Sequence, residues 1–197
     1  MNTPHETSAV RYSGDERRQL LEVAFHAVEH GVSQGTPAAV PLSAYQDRLR
    51  IPCATFVTLN HNQRLRGCIG SLEAVRPLVE DVNANAFAAA FRDPRFPPVG
   101  EGELAGLAIS ISVLTDPAPV AAASEQHLLD QLRPGIDGLI LQLGNRRGTF
   151  LPAVWQSLPE PRDFLRQLKL KSGLAVDYWS ADLQVWRYSV ESITDWD

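Results

Sequence analysis

The chain of 197 residues is 44% apolar and 21% charged with a net charge of −5, the composition of a globular protein long enough to bury about 70% of the surface its unfolded form exposes. Eighteen basic against 23 acidic side chains repel a phosphate backbone, which makes nucleic acid an unlikely partner, and no apolar run approaches the roughly 20 residues that cross a bilayer. The opening MNTPHETSAVRYSGDE lacks the apolar core of a secretion signal, and the two cysteines, Cys53 and Cys68, have no Cys-x-x-Cys spacing, so the expectation is a reduced, cytoplasmic protein without a disulfide scaffold or structural zinc.

Residues 1–12 are polar and aperiodic and read as a disordered segment. A helix is expected from about Asp15 to His30, capped by Ser13 or Asp15, with Leu20, Leu21, Ala24, Phe25 and Val28 as its apolar stripe and Gly31 placed to end it. SQGTPAAVPL reads as a linker. CATFVTLNHNQRLRGCI then runs apolar on both sides of Asn-His-Asn, the pattern of two strands joined by a tight turn near His61 and Asn62.

A second helix starts at Pro77 and reaches about Phe91, apolar or small on nearly every face and therefore buried on more than one side. RDPRFPPVGEGE is a proline-stiffened loop. LAGLAISISVLTD alternates as a half-buried strand, with Leu107, Ile109, Ile111 and Val113 on one face. There follow a short helix capped by Ser124, a hairpin turning at Gly144 to Gly148, a helix from about Pro161 with Gly173 after its end, and one closing strand, LQVWRYSVESI. Helices and hairpins without a regular strand-helix-strand repeat predict an α+β fold with antiparallel sheets and helices packed on them.

The chemistry-bearing stretch is RLRGCIG. Strict alternation over residues 64–69 puts Arg64, Arg66 and Cys68 on one strand face, where guanidinium groups would favour thiolate over thiol. Gly67 and Gly70 remove side chains that would shield the sulfur and permit close approach of a ligand. Cys68 is thus a candidate nucleophile or the floor of an anion site, with His61 across the turn as the candidate base. The competing reading is a small apolar residue filling a packed strand, and spacing alone favours it slightly.

Asp93 and Arg95 form a further candidate binding pair in the proline-braced loop, for which a local salt bridge is the simpler account. Asn83 and Asn85 interrupt an apolar helix and need hydrogen bonds if buried. His26 and His30, one turn apart, lack a local third metal ligand.

LRGCIG and RDPRFPPV, together with the ordered FVTL, DGLI, LP at Leu151 and Pro152, and KSGL at Lys171 to Leu174, make the chain resemble the AMMECR domain family, whose prokaryotic members are called AmmeMemoRadiSam system protein A. The resemblance spans about residues 15–194, with the domain itself taken as 13–195. It implies two α+β lobes, a larger and a smaller, with the hexapeptide near a cleft between them. It also implies a functional link to Memo-like and radical SAM proteins, and it specifies no reaction and no cofactor. Many prokaryotic relatives carry a cysteine two residues before the KSGL lysine, where this chain has Lys169, so a shared two-cysteine mechanism does not extend to it. The expected activity is binding of a partner, or of an unidentified small molecule or anion, by Arg64, Arg66, Gly67, Gly70, Asp93 and Arg95, with thiol catalysis by Cys68 as the alternative and nucleic-acid binding last.

Overall fold

Ser13 sets the start of the first helix: its hydroxyl accepts the Glu16 N–H and the Glu16 carboxylate accepts the Ser13 N–H, a reciprocal cap that satisfies two otherwise free donors. The computed structural model describes residues 12–194 and divides them into two units, 12–114 with 191–194, and 115–190. The disorder expected for residues 1–12 lies outside the described residues except at Tyr12, which is buried and donates its backbone N–H to Glu191.

In the first unit, α1 (Gly14–Gln34) and α2 (Leu78–Phe91) pack on a four-stranded antiparallel sheet of order β2-β1-β3-β8. Its strands are β1 (Thr55–His61), β2 (Arg64–Gly70), β3 (Leu107–Leu114) and β8 (Val190–Thr194). The helix α1 does not stop at Gly31 but runs to Gln34 and ends on Gly35 in the left-handed conformation. Gly31 has a different role: a Cβ there would lie 2.2 Å from the Phe91 ring, so its bare backbone is what lets α1 approach α2. Phe25, placed in the expected stripe, is 39% exposed, while Val23 and Ala27 are buried instead.

The hairpin between β1 and β2 turns on Asn62 and Gln63, both at positive φ, the two-residue geometry that matches strand twist. Val57 and Leu59 of β1 and Ile109, Ile111 and Val113 of β3 line the core face. Asn83 and Asn85 are buried and bonded, Asn83 to the Ala38 carbonyl and Asn85 to Thr55 and Asp81. Asp81 also accepts from the Thr55 N–H and hydroxyl and from Arg76, which pins the start of β1 to α2.

The second unit has its own core, built on a sheet of order β4-β7-β5-β6. It contains β4 (Ala118–Pro119), α3 (Glu125–Leu129), β5 (Gly138–Leu143), β6 (Arg146–Phe150), α4 (Pro161–Lys171) and β7 (Gln184–Tyr188). Trp155 stacks on Phe164 with ring centroids 3.8 Å apart. The single closing strand expected from LQVWRYSVESI is two: β7 belongs to this sheet and, after Ser189, β8 belongs to the sheet of the first unit. Both halves alternate, so periodicity alone does not reveal the break.

Candidate functional site around Cys68

Cys68 lies on β2, the edge strand of its sheet, directly opposite Thr58, which in turn faces Ser110 on β3. Since Val57, Leu59 and Ile109 occupy the core face, alternation puts the row Cys68, Thr58 and Ser110 on the other face. The Thr58 hydroxyl donates to Cys68 Sγ at 3.2 Å, and Cys68 is only partly buried. It is therefore not the sealed apolar filler of the competing reading. Cys53, by contrast, is buried in the core with its sulfur 3.8 Å from the Tyr12 hydroxyl.

The backbone around the thiol is held from the edge. Asp93, buried in the loop after α2, accepts the Cys68 N–H at 2.9 Å, and this carboxylate occupies a free edge position of the sheet. Its Oδ1 also takes the Arg95 N–H, a tight turn that the proline-rich loop supports. The Arg95 guanidinium grips Asp93 through Nε at 2.9 Å and Nη2 at 2.6 Å and reaches the Cys68 carbonyl at 3.4 Å. That grip and the two backbone donors hold the Asp93 carboxyl well below the usual carboxylate range, against the opposing effect of burial. Arg95 nevertheless keeps about half of its side chain in solvent (53%), so a cation faces outward beside the cysteine.

Arg66 does not share the thiol's alternation. The register shifts between Leu59 and Asn60, which pair with Gly67 and Leu65, so Arg66 is the extra residue of a β-bulge. Its guanidinium is bidentate to Glu103, 2.6 and 3.0 Å, and also donates to the Pro98 carbonyl. That pairing lowers the Glu103 pKa to about 2. Phe96 is within cation–π range of both arginines, 6.0 Å from Arg66 and 5.4 Å from Arg95.

The structure thus brings Cys68, Asp93 and Arg95 together and sets Arg66 in an adjoining ion pair. Arg64 is exposed at the hairpin end opposite His61. His61 is three residues along β1 from Thr58, about 10 Å and on the opposite face, so it is not positioned as a base for Cys68. Gly67 and Gly70 are required by packing rather than by ligand approach: a Cβ on Gly67 would lie 2.1 Å from the Ala89 carbonyl of α2, and one on Gly70 would lie 2.3 Å from the Thr55 carbonyl. Sequence reasoning missed Thr58, Glu103 and Phe96. Counting back from a two-residue turn finds the row opposite Thr58, but off by one, because nothing in the sequence announces the bulge at Arg66. Among the described residues no group of three His, Cys, Asp or Glu is placed to hold a metal.

A family model, AMMECR1, matches residues 21–193, which include every residue of this arrangement. The chain belongs to the AMMECR1 family. Among AMMECR1-type relatives, a protein of Methanothermobacter thermautotrophicus is 35% identical over 91% of this chain and 94% of its own. One from Thermofilum pendens is 36% identical over 92% of this chain and 90% of its own. The crystal structure of the uncharacterized protein PH0010 from Pyrococcus horikoshii aligns with a TM-score of 0.80 at 33% identity, covering 88% of both chains. The α+β architecture of this AMMECR1 chain is therefore that of a solved protein. No helix among the described residues is long and apolar enough to cross a membrane.

Proposed function

We propose that this AMMECR1-family protein is a ligand- or partner-binding component of a cytoplasmic multi-protein system, and that the surface around Cys68 is where it binds. The observation that carries the reading is the state of the charged groups there. Asp93 and Glu103 are each consumed by a bidentate arginine, and among the described residues no imidazole or free carboxylate is hydrogen-bonded to the sulfur. The site has rigid cationic donors and an aromatic ring, the parts of a recognition surface, and lacks a proton acceptor for thiol catalysis. The Memo-like and radical SAM proteins implied by the resemblance are the proposed partners.

The test is affinity measured by biolayer interferometry against each of those two proteins. Arg95→Lys, which keeps a cation for Asp93 but loses the planar fork, weakens binding about tenfold, whereas Cys68→Ser stays within about twofold. Loss of binding in Cys68→Ser with Arg95→Lys unaffected overturns the proposal. That pattern favours the second reading, Cys68 as nucleophile, for which the Thr58 hydroxyl bond to the sulfur is the supporting observation.

A further inference from the structure

In the second unit, α3, α4 and the segment after α4 enclose an open cavity of about 590 Å³, within the range of small-molecule sites. Two guanidinium groups enter it from one face of α4. Arg162 and Arg166 are one turn apart, and Lys169 continues the same stripe. Arg162 donates to the uncharged Gln126 side chain at 3.2 Å, and Arg166 makes a single long ion pair, 3.8 Å, with Asp163 in which both side chains are more than half exposed, a pairing that solvent screens. Helix stability does not explain Arg162, since a cation in the first turn opposes the helix dipole.

The rest of the lining is equally specific. Leu129 and Val176 supply an apolar surface, and Asp177 presents an exposed carboxylate with no hydrogen-bond or ion-pair partner among the described residues. Glu125, also in the wall, is already compensated: its Oε2 binds the fully buried Lys169 ammonium at 2.6 Å, and that ammonium also donates to the Val176 carbonyl. Lys169 therefore fixes both Glu125 and the Val176 backbone, which makes it a positioning residue for the cavity. What the cavity offers a ligand is a pair of weakly engaged cations, an apolar patch and one anion.

We propose that this cavity binds a small zwitterion of amino-acid or short-peptide type. Its carboxylate sits between Arg162 and Arg166, its apolar portion lies on Leu129 and Val176, and its ammonium faces Asp177. The site belongs wholly to residues 115–190 and does not depend on the reading of Cys68.

The full-length protein is titrated with L-phenylalanine and with 6-aminohexanoate, two zwitterions of different charge separation. The controls are 3-phenylpropionate and hexanoate, which lack the ammonium. Binding is read by nuclear magnetic resonance from the Arg162 and Arg166 Nε–H signals and the Val176 amide. The expected result is saturable shifts with at least one zwitterion, about fivefold or more tighter than its control. Asp177→Asn removes that preference, and Arg162→Gln with Arg166→Gln weakens binding about tenfold or more while the amide spectrum elsewhere is unchanged. Absence of saturation with both zwitterions, or saturation unaltered by either set of substitutions, overturns the proposal. So does equal affinity for zwitterion and control.

Discussion

Asp93 accepts the backbone N–H of Cys68 at 2.9 Å while its side chain is only 2% exposed, so a buried carboxylate covers the open edge of β2 at the residue that carries the thiol. The stability it supplies depends on charge. Its folded pKa lies below the unfolded value of roughly 4, so the contribution is present above that value and is lost as pH falls through the folded one. Glu103, lowered to about 2 by Arg66, acts in the same direction. In urea unfolding between neutral pH and pH of about 2, the native protein loses stability on the acid side, and Asp93→Asn flattens that limb. An acid limb identical in the two proteins contradicts this assignment.

The Thr58 hydroxyl donates to Cys68 Sγ at 3.2 Å and so fixes the orientation of the sulfur on its strand face. Thr58→Val conserves shape and deletes the donor. Alkylation of Cys68 by iodoacetamide at neutral pH should slow about three- to tenfold, the effect of one hydrogen bond. Cys53, buried in the core, serves as the internal reference in the same mass-spectrometric measurement. A rate unchanged by Thr58→Val means that the hydroxyl does not tune the sulfur.

Gly67 abuts backbone rather than a side chain, so the strain of Gly67→Ala has no cheap outlet. The added Cβ meets the Ala89 carbonyl at 2.1 Å, and either α2 or β2 must move. The expected cost is about 3 kcal/mol by chemical denaturation. Gly14→Ala, where nothing lies within 4 Å, is the matched control and should be neutral or slightly stabilising. Equal stability of the two variants would show that the packing of β2 on α2 is looser than described.

The sequence makes the elements legible wherever a local signal sets them: the Ser13 cap, the start of α2 next to Pro77, the Ser124 cap, the alternation of β3. It fails where the deciding contact is distant. Gly31 reads as a helix stop because a glycine at that position usually is one, and only the Phe91 ring across the helix pair reveals its use. Arg66 reads as a neighbour of the thiol because alternation is assumed unbroken, and the bulge diverts it to Glu103, 37 positions away. The Asp93–Arg95 pair was visible as a local salt bridge, but its hydrogen bond to the Cys68 backbone was not, since no pattern within RDPRFPPV refers to β2.

Lys169 and Glu125 form an unequal pair, and the inequality has a measurable consequence. The lysine side chain is wholly buried, whereas the glutamate retains 26% exposure. Deleting the lysine charge leaves a carboxylate that water can still reach, and a methionine fills similar volume among the apolar neighbours. Lys169→Met is therefore expected to change stability by less than about 1 kcal/mol or to raise it. Deleting the carboxylate instead strands an ammonium inside the core, with only the Val176 carbonyl for company. Glu125→Ala is expected to cost about 3–5 kcal/mol, measured by denaturant unfolding at neutral pH. If the two substitutions cost the same, the ion pair is not the reason for the lysine's burial. If Glu125→Ala alone is severe, the charge at position 169 is held in place by its partner across the cavity wall.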